Sequence, residues 1–447
     1  MLVSFELENW LSFRDTTRFN MTATREKQHG ERVPSVDKYQ ARILPVAAIY
    51  GGNASGKTNF FQALSFARTF ITSGTPLDSL IPIEPFRLDG VSLKKPVRLK
   101  FELLIDEIIY EYSFSVSREA VLEEKLIQIT STSEKTLFHR LDGKPNFDKS
   151  LKNDNFLKFA FKGTRPNQLF LTNSVSQGVE RFQKIHNWFR NKLELVAPDS
   201  RFEPFDQFLD TSNPLNSSMS ELLYKLDTGI VRLGSESIPF DSLNVPPALK
   251  QKIISEVKEG LSVRLHSERL NNRVIVSRKD DDLVAHKLIS YHPSTDGNDV
   301  KFEIYQESDG TQRVIDLLPA FLDLVSHQDV VYVIDEIDRS LHPLLIEQLL
   351  EQYLDSCNPK SRKQLLFTTH NMLLMDQKMF RRDEMWITER NSQGVSSLTS
   401  FSDFSDIRYD KDIRKSYLEG RMGGVPKFKL SDFNFENSKS ERLEGAL

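Results

Sequence analysis

The stretch AIYGGNASGKTNF, residues 48–60, joins an apolar run to a glycine-rich loop and then to an amphipathic segment. The run 43–50 is short, apolar and stopped by two glycines, which is typical of a buried strand. From Asn59 to Ile71 apolar residues recur at helical spacing. The stretch therefore predicts a strand, a loop and a helix in that order.

The loop between them matches the pattern G-x-x-x-x-G-K-[ST], which cradles phosphates. Its glycines let backbone N–H groups point at a phosphate chain, and the helix start adds partial positive charge. Lys57 supplies a full charge, and the Thr58 hydroxyl suits Mg²⁺, a hard cation. A chance glycine-rich turn is the alternative, but it would not need the flanking strand and helix. We expect the nucleotide site to contain Gly51, Gly52, Asn53, Ala54, Ser55, Gly56, Lys57, Thr58 and Asn59.

Length and composition describe an ordinary globular chain. Its 447 residues suggest two to three domains, and its net charge of -4 means that any nucleic-acid contact must come from a local basic patch. The N-terminus mixes charges among its apolar residues, unlike a signal peptide, and no run approaches the roughly 18 apolar residues of a membrane span. The single Cys357 excludes an intramolecular disulfide framework. These features predict a cytoplasmic protein without membrane contact.

A second motif, VVYVIDE at residues 330–336, places two carboxylates at the end of an apolar run. Asp335 at such a strand end can hold Mg²⁺ through water, and Glu336 can polarise an attacking water. The alternative is an ordinary buried strand that ends in surface acids. The phosphate loop found upstream favours the catalytic interpretation.

A third motif, ESDGTQR at residues 307–313, precedes this strand. Ser308, Gly310 and Thr311 would lie at a helix N-terminus, which offers free N–H groups and hydroxyls to an anion. Taken alone, the motif fits a plain helix N-cap better. Its position shortly before the carboxylate strand favours a second phosphate contact.

Two further polar groups follow in chain order. The segment IDRSLHP contains Asp338, and the apolar run QLLFTTHN ends at His370. A lone histidine is more often structural. At the end of a strand beside the phosphates, however, it could hydrogen-bond the γ-phosphate and the attacking water.

Together these residues resemble the ABC-type ATPases of the SMC, RecF and OLD group. They look most like the bacterial AAA-type ATPases of the RloA/AbiL kind, which are associated with phage defence. The resemblance rests on six motifs in order and covers about 1–130 and 290–428. The motifs are YGGNASGKTNF, ESDGTQR, VIDEIDRSLHP, FTTHN, RRDEMWITER and YLEGRMGGVP.

The resemblance implies a role for each matching residue. Lys57 and Thr58 belong to Walker A, Asp335 is the Walker B aspartate that holds Mg²⁺, and Glu336 is the catalytic glutamate. His370 is the switch histidine. Asp338 lies in the D-loop, and Ser308, Gly310 and Thr311 form a signature that reaches the γ-phosphate of a partner subunit. The signature departs from the common LSGGQ form, and no Q-loop glutamine is identified, although EPFRLD at 84–89 lies where a related contact is expected.

The predicted fold is an α/β P-loop NTPase, an ABC-type ATPase head with a mixed central sheet, an antiparallel β lobe and a helical insertion. Four segments are expected. Residues 1–175 form the N-terminal part of the head, 176–290 a mainly helical insertion with a hairpin, 291–428 the C-terminal part of the head, and 429–447 a polar tail.

The resemblance implies an ATPase in which ATP joins two chains head to tail, as a homodimer or a higher homo-oligomer.

The first hypothesis is a switch that gates a separate effector protein, possibly a nuclease, in anti-phage defence. About 20 residues after Pro426 are too few for a nuclease domain of the OLD kind. The alternative is a RecF/SMC-like DNA-binding repair or maintenance ATPase, with basic residues of 181–193 or lysines 149, 152, 158 and 162 on the DNA. Solvated surfaces explain both basic groups more simply. A structural protein with a vestigial ATP site is a third hypothesis.

Overall fold

The described part of the chain forms a mostly parallel central sheet, an antiparallel lobe and a smaller antiparallel sheet. Helices pack between these sheets. The computed structural model describes residues 1–201, 214–258, 262–265, 273–279, 282–327, 329–404 and 412–425. Several expectations lie wholly or partly outside these residues: the polar tail 429–447, the last residue of the YLEGRMGGVP motif, the tip of the hairpin at 280–281, and parts of the predicted segments 176–290 and 291–428.

The strands are numbered in chain order. They are β1 (Leu2–Glu8), β2 (Thr17–Asn20), β3 (Ser35–Val36), β4 (Ala41–Arg42), β5 (Val46–Tyr50), β6 (Val97–Ile105), β7 (Ile108–Val116), β8 (Val121–Ile129), β9 (Glu134–Leu141), β10 (Lys144–Phe147), β11 (Leu193–Val196), β12 (Arg232–Pro239), β13 (Ser262–Leu265), β14 (Val274–Lys279), β15 (Asp282–Pro293), β16 (Asp299–Glu303), β17 (Val331–Ile334), β18 (Gln364–Thr369), β19 (Met385–Arg390) and β20 (Ser396–Ser400).

The α-helices are numbered in the same way. They are α1 (Lys57–Ser73), α2 (Asn155–Lys162), α3 (Phe170–Ser176), α4 (Gln183–Asn191), α5 (Pro214–Lys225), α6 (Pro247–Glu256), α7 (Asp309–Ser326), α8 (Pro343–Asp355) and α9 (Ile413–Leu418).

The central sheet has the strand order β11-β17-β18-β5-β19-β20. All neighbouring pairs are parallel except β19 with β20, so the predicted mixed sheet is confirmed. Strands β5 and β18 are buried at every position, as strands covered on both faces must be. Because β5, β17 and β18 run in parallel, their carboxyl ends meet at one edge of the sheet. The phosphate loop follows β5, the predicted acidic motif follows β17, and the predicted histidine follows β18.

The N-terminal lobe is an antiparallel sheet of order β10-β9-β8-β7-β6-β1-β2. It confirms the predicted antiparallel β lobe, in which β1 and β2 form a hairpin and β6, β7 and β8 form a meander. Helix α1 packs against this lobe, because Phe60 makes edge-to-face contacts with Phe5 and Phe19. Phe19 also lies 4.9 Å from Trp386 of β19, measured between ring centroids, so one apolar core joins the lobe, α1 and the central sheet.

The other face of the central sheet is covered by α7 and α8. Their buried residues form a second core with β5, β17 and β18, in which Leu317, Phe321, Leu350 and Phe367 are members. The sheet is thus enclosed on both faces, which is the arrangement that its apolar strands require.

The prediction that 176–290 is mainly helical is wrong in large part. The segment does contain helices α4, α5 and α6, and the hairpin of β14 and β15 is confirmed. However, LELV forms β11 at the edge of the central sheet, and β12–β16 build a separate antiparallel sheet. The helical period ended earlier than the sequence suggested, since LELV pairs with β17 and RLGSESIP pairs with β15. Tertiary pairing overrides local propensity here.

Candidate functional site

The phosphate loop connects β5 to α1 and requires glycine at both ends. A Cβ at Gly51 would lie 2.6 Å from Ser55 Oγ, and a Cβ at Gly56 would lie 2.6 Å from Ser396 Oγ. Gly56 also has a φ of 120°, which L side chains rarely adopt. The close packing of the loop therefore excludes side chains at these two positions.

Neighbouring strands brace the loop from behind. Ser55 Oγ lies 2.5 Å from Thr388 Oγ1 of β19, and Ser396 Oγ of β20 donates to the Ser55 carbonyl at 2.6 Å. Ser12 Oγ lies 2.8 Å from Ser396 Oγ. Ser12 and Ser396 carry no signal in the sequence, because they lie far from the loop along the chain. Thr388 falls within the motif RRDEMWITER, but its contact with the phosphate loop was not predicted.

The remaining loop residues divide between solvent and support. Asn53 and Ala54 are exposed at the tip, where Ala54 has a φ of 60°. Asn59, predicted to bind the nucleotide, donates its side-chain amide to Ser12 Oγ at 2.7 Å. The structure thus places Asn59 on the supporting side of the loop.

Lys57 is folded back onto the loop. Its ammonium donates to the carbonyls of Gly51 at 2.8 Å and Gly52 at 3.0 Å, and lies 3.3 Å from Nδ1 of His370. Burial lowers the pKa of Lys57 to about 8, and the nearby Asp335 opposes this shift. A nucleotide phosphate would offer the buried ammonium a stronger partner than two carbonyls.

Asp335 follows β17 and is completely buried. Its Oδ1 accepts a hydrogen bond of 2.5 Å from the Thr368 hydroxyl, while Oδ2 is buried with no direct hydrogen bond among the described residues. Burial raises the pKa of Asp335, and the Thr368 and Thr58 side chains partly offset this rise. A buried carboxylate oxygen beside a hydroxyl is a donor set that fits Mg²⁺.

Glu336 and His370 face each other at the end of β17 and β18. His370 Nε2 lies 3.9 Å from Glu336 Oε1, and each side chain is about one-third exposed. Glu336 is in the left-handed region at a φ of 50°, and its N–H donates to Thr368 Oγ1 at 2.8 Å. Burial, and then the charge of Lys57, lower the pKa of His370. The unusual backbone turn aims the carboxylate at the histidine and the Lys57 ammonium.

Asp338 lies in the turn after Glu336. Its Oδ1 is buried without a hydrogen-bond partner in the described part of the chain, and its charge acts on Lys57 and His370. The predicted D-loop aspartate is therefore part of the same electrostatic site as the phosphate loop.

The predicted signature is the start of α7. Ser308 is its N-cap, with Oγ accepting from the Thr311 N–H at 3.1 Å, and Ser308 and Asp309 are exposed. A Cβ at Gly310 would lie 2.8 Å from the carbonyl oxygen of Ser340 in the turn that follows Asp338. The helix start thus contacts its own D-loop segment while its cap faces outward.

Arg313 connects the same helix to the carboxylate strand. Its guanidinium donates to the carbonyls of Ala197 at 3.3 Å and Asp335 at 3.5 Å. Burial lowers the pKa of Arg313, and Asp316 opposes that shift. The sequence motif contained this arginine, but its contact with Asp335 was not predicted.

The motif YLEGRMGGVP reaches the phosphate loop through one backbone contact. The Gly52 N–H donates to the Gly424 carbonyl at 3.2 Å, and the Tyr417 hydroxyl donates to the same carbonyl at 2.9 Å. Gly424 has a φ of 69°, and its Cβ would lie 2.5 Å from Ile387. Gly52, predicted to belong to the nucleotide site, therefore has its N–H engaged by this segment.

The segment EPFRLD packs on the N-terminal loop that also supports Asn59. The Leu11 N–H donates to the Glu84 carbonyl at 2.7 Å, and the Phe86 N–H donates to Asn9 Oδ1 at 3.2 Å. These contacts link the segment to the phosphate loop indirectly, through residues 9–12. A direct contact with nucleotide stays a prediction.

The first basic group proposed for DNA is poorly placed. Trp188 is buried, Lys184 pairs with Asp106, and Lys192 lies 3.1 Å from Asp329. No exposed aromatic ring accompanies the basic residues of 181–193. A solvated helix face explains this segment better than a nucleic-acid surface.

The fold and this site define a P-loop ATPase domain, in which a phosphate loop and a carboxylate strand meet at one edge of a parallel sheet. The chain belongs to the family described as AAA domain, putative AbiEii toxin, Type IV TA system, whose pattern matches residues 46–376. That match spans the phosphate loop, Asp335, Glu336 and His370.

Among solved structures, the chain is similar to SMC head domains. The SMC head bound to the C-winged helix domain of ScpA has 13% identity and a TM-score of 0.38, covering 89% of this chain and 97% of that chain. The SMC head domain from Thermotoga maritima has 14% identity and a TM-score of 0.35, covering 89% and 98%. The head bound to the C-terminal domain of ScpA derived from Pyrococcus furiosus has 12% identity and a TM-score of 0.37, covering 90% and 97%.

A search of curated protein sequences gave no significant match. Within the described ranges, no helix combines the length and apolar character needed to cross a membrane.

Proposed function

We propose that this protein binds ATP with Mg²⁺ and hydrolyses it. The observation that carries the proposal is the convergence of Lys57, Asp335, Glu336 and His370 at one edge of the central sheet. Lys57 ends the loop that follows β5, Asp335 and Glu336 follow β17, and His370 follows β18, so three parallel strands assemble the group. This arrangement argues against a structural protein with a vestigial ATP site, because each polar group has a distinct task in phosphoryl transfer.

Each residue has a role that its surroundings favour. The loop N–H groups and Lys57 bind the β- and γ-phosphates, and Thr58 with Asp335 would hold Mg²⁺. The metal, when bound, neutralises phosphate charge. Glu336 orients the attacking water and accepts its proton, and the neutral His370 donates a hydrogen bond to the γ-phosphate. Burial, and then the charge of Lys57, lower the pKa of His370, which favours the neutral ring for this role.

The proposal includes a second chain at the site. Ser308 and Asp309 at the signature are exposed, and the signature contacts the D-loop of its own chain through Gly310 and Ser340. A head-to-tail pair would place each exposed cap on the ATP held by the other chain. ATP then stabilises association and hydrolysis releases it, which makes a two-state switch.

The switch would act on a separate effector, possibly a nuclease, in a cytoplasmic anti-phage system of the RloA/AbiL kind. Two features support this part of the proposal: the family description names a putative toxin of a toxin–antitoxin system, and β12–β16 form a sheet separate from the central one, which offers surface for a partner. The chemistry of the effector would reside in that partner. Pull-down of the ATP-trapped form from its native host, compared with the ATP-free form, tests whether a partner depends on the nucleotide state.

The decisive experiment measures the mass in solution of Glu336→Gln with and without ATP–Mg²⁺. Removing the carboxylate leaves ATP bound and unhydrolysed, so the mass should at least double with ATP. Adding Ser308→Arg should abolish the increase, while Ser326→Arg, at the other end of α7, should leave it intact. A mass that does not respond to ATP, with ATP binding verified, would overturn the two-chain part of the proposal.

A further inference from the structure

Helix α2 exposes two of its three phenylalanines. Phe156 is 51% exposed and Phe159 is 67% exposed, although Phe161 of the same helix packs against Phe147 and Phe170. Residues three apart lie on one helix face, so the two exposed rings are neighbours. The two rings form contiguous exposed apolar surface, which makes this helix face a candidate interaction site.

The segment that carries these rings is basic. From Lys144 to Arg165 the chain has six basic and two acidic residues, within a protein of net charge -4. Both acids are engaged: Asp148 pairs with Lys135, and Asp154 caps α2 by accepting from the Leu157 N–H. Lysines 149, 152, 158 and 162 are all exposed, and none of them is in an ion pair within the described part of the chain.

We propose that α2 binds single-stranded nucleic acid, with Phe156 and Phe159 stacking on successive bases and the four lysines contacting phosphates. For brevity, these six residues are called the α2 surface. Aromatic platforms within a basic surface are the usual means of holding an unpaired strand without sequence preference. This proposal is independent of ATP hydrolysis, because the α2 surface lies on the N-terminal lobe, in a segment away from the nucleotide residues.

The two phenylalanine rings distinguish single-stranded nucleic acid from two other candidate occupants, duplex DNA and an acidic protein segment. Duplex DNA hides its base faces, so a duplex could use the lysines but not the rings. An acidic protein segment would pair with the lysines and would accept any apolar side chain at the two phenylalanine positions. Only an unpaired strand needs both the positive charge and the flat rings.

The test uses the full chain and a fluorescein-labelled oligothymidylate of 20 nucleotides, with the matching duplex and oligouridylate as comparisons. Wild type should bind both single strands more tightly than the duplex. Phe156→Leu with Phe159→Leu keeps apolar side chains but removes the rings, and should weaken single-strand binding by about fivefold or more per ring. Phe156→Tyr with Phe159→Tyr should bind like wild type.

The charge component is tested by salt dependence. Lys158→Glu with Lys162→Glu should lower affinity and reduce the slope of log K against log salt by about 0.7 for each lost contact. Matched controls are Tyr224→Ala, whose ring is 67% exposed, and Lys258→Glu with Lys360→Glu, both exposed and remote in sequence. Each control should bind like wild type.

Two results would overturn the proposal. One is a wild-type protein that binds no oligonucleotide at low salt, which would leave a protein segment as the occupant. The other is equal binding by the leucine pair and wild type, which would mean that the rings do not stack. Unchanged ATPase rates in all the variants would show that either result leaves the proposed ATP chemistry untouched.

Discussion

The Thr368 hydroxyl lies 2.5 Å from Oδ1 of Asp335 and donates a hydrogen bond to it. The same oxygen accepts the N–H of Glu336 at 2.8 Å, so one side chain of β18 orients both Asp335, the proposed Mg²⁺ ligand, and the turn of Glu336, the proposed catalytic residue. Thr368 is thus a positioning residue rather than a member of the reacting set. Thr368→Val keeps the shape and removes the hydroxyl. We expect kcat to fall at least tenfold with the KM for ATP little changed, measured by steady-state phosphate release.

Thr368→Ser supplies the matched control, because it restores the hydroxyl and should recover most of the activity. The valine variant should also lose about 1–3 kcal/mol of unfolding free energy, since a buried carboxylate loses its donor. Equal kcat values for wild type and Thr368→Val would contradict the positioning role.

Local patterns predicted the parts of the site that are built locally. The loop 51–58 needs a strand before it and a helix after it, and both can be recognised from a few adjacent residues. Asp335, Glu336 and His370 were also found in this way, since each follows an apolar strand. These three residues converge because their strands run in parallel, and the order of the motifs along the chain implied such a sheet.

Other features depend on contacts between distant segments and gave no local signal. Thr368 looks like any strand threonine, and Ser396 matters only because β20 approaches the phosphate loop. The strand β11 was mistaken for the end of a helix because four residues are too few to show a period. The sheet of β12–β16 was missed because RLGSESIP has a weak apolar pattern whose partners lie some fifty residues later.

Lys57 predicts a pH dependence of ATP binding. Its pKa of about 8 in the nucleotide-free protein lies below the ordinary 10.5, chiefly because of burial. Phosphate contact favours the charged form and raises the pKa, so binding takes up a proton above about pH 8. ATP affinity should therefore be flat below pH 8 and fall by up to about tenfold per pH unit above it.

Isothermal titration in buffers of different ionisation enthalpy measures this proton uptake. Lys57→Met is the control, because it should bind ATP more weakly and show no uptake above pH 8. The same shift affects folding: the unfolded chain holds the proton up to about pH 10.5, so this group makes the free energy of unfolding rise with pH between about 8 and 10.5. Proton release on ATP binding at pH 8.5 would contradict the assignment.

Gly310 predicts a link between the signature and the D-loop. A Cβ added there would lie 2.8 Å from the Ser340 carbonyl, which is backbone and cannot rotate away. Gly310→Ala should therefore shift the D-loop turn and weaken ATP-driven association of Glu336→Gln, while each chain still binds ATP. Sedimentation velocity with ATP–Mg²⁺ measures the association.

Gly90→Ala is the matched control, since a Cβ there meets nothing within 4 Å. It should associate like the parent variant. Normal ATP-driven association of the Gly310→Ala protein would show that the turn after Asp338 tolerates the shift and that the two motifs are not coupled.

Asp316 predicts a large stability effect in the middle of α7. Its side chain is fully buried between two arginines, with Oδ1 2.7 Å from Arg273 Nη1 and Oδ2 3.1 Å from Arg201 Nη1. Arg273 is itself buried, and burial lowers its pKa while Asp316 opposes that shift. Asp316→Asn would leave a buried guanidinium without a counter-charge. We expect it to lose about 3–5 kcal/mol of unfolding free energy, measured by urea denaturation.

Asp323→Asn on the same helix is the comparison, because that carboxylate is partly exposed and should cost about 1 kcal/mol or less. The double variant Asp316→Leu with Arg273→Met removes both charges and should recover much of the lost stability, since the cost comes from the unpaired buried charge rather than from the absent ion pair. If the double variant were as unstable as Asp316→Asn, the loss would instead reflect packing around α7. The side chain of Arg201 is substantially exposed, so we expect the loss of its partner to contribute little to the unfolding free energy of either variant.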